Sequence, residues 1–522
     1  MTRESVAARP NSRLRVHAVK GVFWTAASNW GDQLSRLLVF MILARLLDPK
    51  AFGLVALAWV FTGLTDLIAE VGLVDALIQR RHATASQLST AFWTTLVVGV
   101  VLMVSLMGLS LPLGSILHED SLAPVLVGLS LVIPIGSLSH VQRAILNRNL
   151  AFRPLALRTL LGTGVGSVVG VGAALAGFGV WSLVAQRVVA ELTATVVLWR
   201  VTEWRPSFTY SWRDARDLLG FGMHVVGVRV LNFVNSNSDN LIVGAVLGTS
   251  SLGLYTVGYR ILRLVIQITS NLIDGVAFPI YSRLQDNRIR LSRAYYKSST
   301  FAALLAFPGF TFSLIMAPQL IDALFGQKWA GSVPVMRVLS VAGLVISVNA
   351  LNSDLLLSLG KASWRMKITS VTTVLNLSAF VIGVQFGIVG VAAGAAVVAI
   401  GMAPVSYWAV SRLMPLHPFE YAKRIWAPAV ASAVFAATLA LVRHVLGDTP
   451  DWLVLAACGA AGTIVYAAMI RLLAPPVAGE AIQLSGALLP GRRRRRARAA
   501  AVDDQPAGVG TVPQTETSPT RA

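Results

Sequence analysis

A single cysteine, Cys458, excludes any intramolecular disulfide, and its apolar surroundings say nothing about a redox compartment. Charge is nearly as scarce. Only 13% of the 522 residues are Asp, Glu, Lys or Arg, too few to cover the surface of a soluble chain of this length. Acids are the rarer sign, 24 against 44 Lys and Arg. The seven histidines are scattered without metal-ligand spacing such as HExxH, so neither a metal site nor a cofactor is expected. Long soluble loops are missing too, which argues against an enzyme that polymerises or ligates sugars on a large extramembranous loop or domain.

What is abundant is apolar sequence. Hydrophobic residues make up 55% and the mean hydropathy is +0.67, values of a polytopic membrane protein. The basic start leads into an apolar stretch too long for the core of a signal peptide, so no removable leader is expected. The net charge of +20 lies mostly in short loops between apolar runs, which fits membrane topology better than nucleic-acid binding.

Breaks at turn residues and charges divide the chain into about fourteen spans, each near the ~20 apolar residues that cross a bilayer. They fall at 20–47, 52–78, 87–111, 121–146, 153–176, 179–199, 217–246, 251–280, 294–318, 332–359, 364–385, 387–411, 424–446 and 452–473. With the N-terminus inside, the cytoplasmic segments before the tail carry 24 Lys and Arg and the opposite loops only three, Lys50, Lys328 and Arg443. Both termini are therefore expected on the cytoplasmic side. The expected parts are a basic N-terminus (1–19), a first bundle (20–199), a linker (200–216), a second bundle (217–412), two further helices (413–473) and a disordered basic tail (474–522).

The bundles look alike. Phe52-Gly53-Leu54 returns as Leu252-Gly253-Leu254, and Phe178-Gly179-Val180 as Phe386-Gly387-Ile388. Six spans separate the copies, an even number, so the halves form a parallel repeat about an axis along the membrane normal. The fold class is an all-α polytopic membrane protein of about fourteen helices, two six-helix bundles plus two C-terminal helices. A site would lie between the halves.

Polar stripes run along the spans that would face each other. In the first span Asn29, Asp32 and Arg36 share one face with Thr25 and Gln33; in the second, Asp66 and Glu70 follow Thr62 at four-residue spacing. The seventh offers Arg229, Asn232, Ser236, Asp239 and Asn240, and the eighth Arg260, Arg263, Gln267, Asn271 and Asp274. Charge at bilayer depth costs about 3 kcal/mol or more, so these faces look into a bundle or a wet cavity. Two readings stay open: they line a substrate cavity, or they pair and only fasten helices, as Asp32 with Arg36 or the arginines with Asp239 and Asp274. Arg187 with Glu191 reads as structural, and Arg143 as an arginine snorkelling to the interface. Gly162, Gly166 and Gly170 are spaced for close helix packing. The run Arg492–Arg496 with Arg498 could hold anionic lipid headgroups or simply anchor the topology.

Lys20-Gly21 with Trp24, Leu43-Ala44-Arg45-Leu46-Leu47-Asp48-Pro49, Phe52-Gly53-Leu54, Gly72-Leu73 and Ala76-Leu77-Ile78-Gln79 resemble the opening of the polysaccharide transporter family. These are the Wzx-type oligosaccharide flippases of the multidrug/oligosaccharidyl-lipid/polysaccharide exporter superfamily. Phe325-Gly326-Gln327-Lys328-Trp329 and Val333-Pro334-Val335 are similar to a later segment of the same family. The resemblance spans roughly residues 15–425. It implies a two-bundle exporter in the bacterial cytoplasmic membrane that moves undecaprenyl-pyrophosphate-linked glycan by alternating access, with a polysaccharide polymerase as a candidate partner. No compact motif carries site residues over. The charge pattern nominates Asn29, Asp32, Arg36, Arg229, Asn232, Asp239, Asn240, Arg260, Arg263, Gln267 and Asn271 for the substrate cavity. Asp66, Glu70 and Asp274 are nominated for coupling to protons or sodium. The alternatives are a multidrug exporter or a peptidoglycan-precursor flippase of the same superfamily, with a membrane-embedded glycosyltransferase behind them.

Overall fold

The computed structural model describes residues 31–70, 77, 84–447, 449–476 and 479, with the side chains of 218–225, 228, 270–276 and 278 left aside. Among these residues the chain is helical and forms no strand. Asn29 and the tail arginines Arg492–Arg496 and Arg498 lie outside the described residues, as do the side chains of Asn271 and Asp274.

The first half comprises α1 (described over 31–46), α2 (Pro49–Glu70), α3 (Ala85–Ile116), α4 (Leu122–Ser130), α5 (Val132–Arg148), α6 (Phe152–Leu175) and α7 (Val180–Val201). Pro49 ends α1 because its ring cannot continue the helix, and the same residue opens α2, where a missing N–H costs nothing. A capping box of Thr84 and Gln87 starts α3. The expected fourth span is two helices, α4 and α5, meeting at Leu131.

The second half opens with α8 (Trp212–Leu284), whose two arms meet at Gly248, at φ +80°. Hydrogen bonds from Tyr255 back to Asp239 and from Arg263 back to Ser236 make the arms an antiparallel hairpin. Then follow α9 (Arg288–Ile315), α10 (Ala317–Phe325), a 3-10 turn (Gln327–Ser332), α11 (Val333–Ser358), α12 (Ala362–Gly383) and α13 (Gly387–Ser411). The short α10 has no place in the expected set of spans. It lies across one end of the second bundle, with Phe325 and Trp329 fully buried.

Two last helices, α14 (Pro418–Leu446) and α15 (Asp451–Leu473), pack on each other and on Met316 and Phe312 through Phe435, Leu439, Cys458 and Tyr466. Cys458 is a small buried apolar group there. Among the described residues, eleven helical segments are long and apolar enough to cross a membrane. Two of them, Arg229–Thr269 and Ala362–Ser411, each contain a reversal and hold two passes, so with α1 the structure is consistent with the fourteen expected.

The repeat is visible where the halves meet. The turn between α1 and α2 abuts the turn between the arms of α8. A Cβ on Gly53 would overlap the carbonyl oxygen of Thr249, and one on Gly253 would overlap that of Pro49. The two contacts are the same contact seen from each half, and only glycine lets the backbones come so close. Gly162, Gly166 and Gly170 serve a similar end inside the first bundle, where α6 lies against Gln186, Ala190 and Ala194 of α7.

This end of the molecule, called distal below, is shut. Arg45 donates to the carbonyls of Ala323 and Leu324, Trp329 Nε1 donates to Ala44 O at 2.8 Å, and Lys328 Nζ donates to Arg45 O at 2.9 Å. Glu119 Oε1 takes Lys50 at 3.1 Å while its Oε2 accepts from Thr249 Oγ1 at 2.8 Å. Burial alone would push the Glu119 carboxyl up. The Thr249 hydroxyl and the Lys50 ammonium outweigh it and hold the group below the usual glutamate range.

Candidate functional site between the two bundles

Below the distal closure a cavity of about 380 Å³ opens between α1, α2, α6 and α7 of the first half and both arms of α8. Four arginines line it, Arg36, Arg187, Arg260 and Arg263, beside the neutral polar groups Gln186, Asn237, Asn240 and Thr163. No carboxylate is on its wall among the described residues.

Each guanidinium is held differently. Arg36 Nε donates to Asp32 Oδ2 at 2.7 Å, and Asp32 Oδ1 accepts from Thr163 Oγ1 at 2.6 Å. Asp32 therefore steers Arg36 rather than facing the cavity itself. Arg187 lies over the Trp59 ring at 5.0 Å, with Glu191 at 3.8 Å. Arg263 lies over Tyr259 at 4.8 Å and donates to Ser236 O at 3.3 Å; Arg260 lies over Phe40 at 4.8 Å. No described carboxylate lies in ion-pair distance of Arg260 or Arg263. A ring face satisfies a guanidinium without occupying its hydrogen-bonding capacity, and guanidinium N–H groups match the oxygens of a phosphate.

The remaining nominated residues disperse. Arg229 does not line the cavity: its Nη1 donates to Glu70 Oε2 at 3.0 Å, three helical turns from Asn240 on the same arm. Glu70 Oε1 accepts from Arg143 Nη2 at 2.6 Å, so one carboxylate ties both bundles together on the side away from the distal end. The snorkelling expected of Arg143 is thereby corrected, because a carboxylate on the neighbouring helix supplies its partner. Arg187 is likewise more than half of a structural pair, since it forms part of the cavity wall. Asp239 is buried and accepts from Tyr255 Oη at 2.9 Å and Asn240 N at 2.8 Å, so it fastens the hairpin and bridges no arginine. Asn232 and Gln267 are exposed and stand outside the wall.

Asp66 meets residues that the stripes did not nominate. Above Gly136 of α5 its Oδ1 converges with Glu191 Oε1 and His140 Nε2, each within 3.8 Å of where a Cβ would stand. Arg158 Nε lies buried without a hydrogen-bond partner, and Glu191 and Arg143 are among the charges acting on it. The signal for this cluster was present in the sequence as single charges in apolar runs at 140, 143, 158, 187 and 191. They sit one or two to a helix and make no stripe.

A helical, multi-pass membrane protein whose two similar bundles enclose a cationic cavity is the class that fold and site define. The chain belongs to the polysaccharide biosynthesis protein family, whose model matches residues 42–334. This bears out the resemblance of the opening motifs. Among curated proteins it is 28% identical over 323 residues to the succinoglycan biosynthesis transport protein ExoT of Rhizobium meliloti (strain 1021), covering 62% of this chain and 65% of that one. It is 25% identical over 385 residues to the lipopolysaccharide biosynthesis protein WzxC of Escherichia coli (strain K12), covering 71% and 76%. Among solved structures it is similar to the lipid II flippase MurJ in an inward closed conformation, with TM-score 0.72, 11% identity and coverage of 86% and 98%. At that identity the likeness shows the fold alone.

Proposed function

We propose that this protein is a flippase that moves pyrophosphate-linked oligosaccharide or polysaccharide repeat units across the bacterial cytoplasmic membrane for surface polysaccharide synthesis. One observation carries the reading: Arg260 and Arg263, a helical turn apart, face an inter-bundle cavity with no carboxylate in ion-pair distance among the described residues. Two uncompensated guanidinium groups suit the two negative charges of a pyrophosphate diester. The neutral amides and hydroxyls beside them suit sugar hydroxyls. The polyprenyl tail stays in lipid, while the anionic head, which cannot cross hydrocarbon unaided, travels between the halves.

The Lys and Arg imbalance of the loops supports a distal end that faces outward and termini that face the cytoplasm. The cavity is then shut toward the outside, and alternating access requires that closure to yield while the Glu70 bridge forms or breaks at the other end. Asp66 and Glu70 remain the candidates for proton or sodium coupling, with Asp274 as a third. Arg492–Arg498 is proposed to hold anionic lipid, and a polymerase is the proposed recipient of the product. A cavity wall bearing arginines and, among the described residues, no carboxylate speaks against cationic drugs as cargo, and the shortness of the sequence between the apolar spans speaks against a glycosyltransferase.

The test is deletion in the source cell, with surface glycan and lipid-linked intermediates measured together. Loss of surface polymer with accumulation of the intermediate on the cytoplasmic leaflet is expected. Unchanged movement of every pyrophosphate-linked glycan would refute the reading, and lethality through loss of wall synthesis would move it to a peptidoglycan-precursor flippase.

A further inference from the structure

A carrier that takes up an anion on one side and releases it on the other must bind it unequally in its two states, since a ligand with equal affinity for both shifts nothing. Three of the four cavity arginines are supported from within their own bundle. Arg187 of α7 lies on Trp59 of α2, Arg263 lies on Tyr259 one turn before it, and Arg36 is held by Asp32 of α1 and Thr163 of α6. These supports survive if the bundles move as rigid bodies.

Arg260 differs. Its ring is Phe40 of α1, which belongs to the opposite bundle. Phe40 is itself wedged edge-to-face between Phe52, at 5.1 Å, and Phe325, at 5.7 Å, and Phe52 meets the Trp329 ring at 5.3 Å. Phe325 and Trp329 come from the second half and form part of the distal closure, where the Trp329 indole is bonded to Ala44 O. A continuous run of rings thus joins the shut distal end to one of the two arginines that lack a carboxylate.

We infer that Phe40 is a positioning residue that makes the grip of Arg260 on the pyrophosphate conditional on distal closure. While the distal end is shut, the ring holds the guanidinium at the cavity wall. When the distal turns separate, α1 draws Phe40 away from the second bundle, and Arg260 hydrates and reorients. Pyrophosphate affinity falls in the state that faces outward, which is where cargo must leave. This rests on the flippase reading, because it assigns the anion held by Arg260 to the cargo.

The experiment uses the full chain in lipid nanodiscs with geranylgeranyl pyrophosphate as probe, in a Cys458→Ser background. Binding is measured for wild type, Phe40→Leu, Phe40→Tyr, Arg260→Gln and the Phe40→Leu/Arg260→Gln double variant. Spin labels at His118→Cys and Ser250→Cys report the distal distance. Phe40→Leu is expected to weaken binding about fivefold, Phe40→Tyr to retain it, and the double variant to bind no more weakly than Arg260→Gln. By linkage, the probe raises the shut fraction of the distal distance distribution in wild type and Phe40→Tyr and leaves it unchanged in Phe40→Leu. Additive losses in the double variant, or probe-driven closure that persists in Phe40→Leu, overturn the inference while leaving the flippase reading intact. Unchanged binding in Arg260→Gln overturns both.

Discussion

Replacing Gly53 by alanine should open the distal end. The added Cβ overlaps a backbone carbonyl, that of Thr249, which cannot rotate aside as a side chain could. The turn between α1 and α2 must therefore draw back from the hairpin turn of α8. Overpacking of this kind costs about 1–3 kcal/mol, and the helix propensity gained on passing from glycine to alanine returns at most about 1 kcal/mol. At the upper end the net is about 2 kcal/mol even after that return, which shifts the ratio of open to closed about 30-fold. Gly253→Ala should do the same through Pro49. The double variant should be little worse than either single one, because one separation relieves both overlaps. The assay is labelling of a cysteine placed at Thr256 in the cavity wall, in a Cys458→Ser background, by a membrane-impermeant reagent applied from outside. Gly108→Ala is the control, since its Cβ meets nothing within 4 Å. Labelling at the wild-type rate in both glycine variants, or strictly additive effects in the double one, would refute the reasoning.

Two further predictions concern the other charged contacts. Glu70→Gln removes the carboxylate that Arg143 and Arg229 share and should cost about 1–3 kcal/mol, because the charge-assisted bridge between the two bundles is lost. A thermal midpoint in detergent equal to wild type would contradict that. The depressed carboxyl of Glu119 contributes stability that is present in full above the ordinary glutamate pKa and is lost as pH falls through its lowered value. Distal closure, followed by the spin-label distance, should therefore hold from neutral pH down to about pH 5 and loosen only below about pH 4. Opening already near pH 6 would show that another group controls the latch.

The spans and the repeat were legible because apolar length and Pro49 are local signals, and because Gly53 and Gly253 each carry the same short motif. The cavity was legible in part. A helical stripe tells which way a side chain leaves its own axis and not what stands opposite, or at what depth. Arg229 and Asn240 share a stripe, yet three turns separate them, and Arg229 ends on Glu70. Asp239 looked like a partner for arginine and is taken by Tyr255. Arg187 read as the structural partner of Glu191 and proved to line the cavity. Phe40 and Trp59 gave no signal at all, since an aromatic residue in a membrane span is ordinary until a guanidinium is found lying on it.

The most direct measurement is flipping by the purified protein in vesicles. Undecaprenyl-pyrophosphate oligosaccharide is loaded in one leaflet, and its arrival in the other is followed for wild type and the Arg260→Gln/Arg263→Gln variant at equal protein density. Movement with wild type, reduced at least about tenfold in the variant, is what two guanidinium ligands for the pyrophosphate predict. Equal movement by both, or none by either, would contradict the claim that these two arginines carry the head group between the bundles.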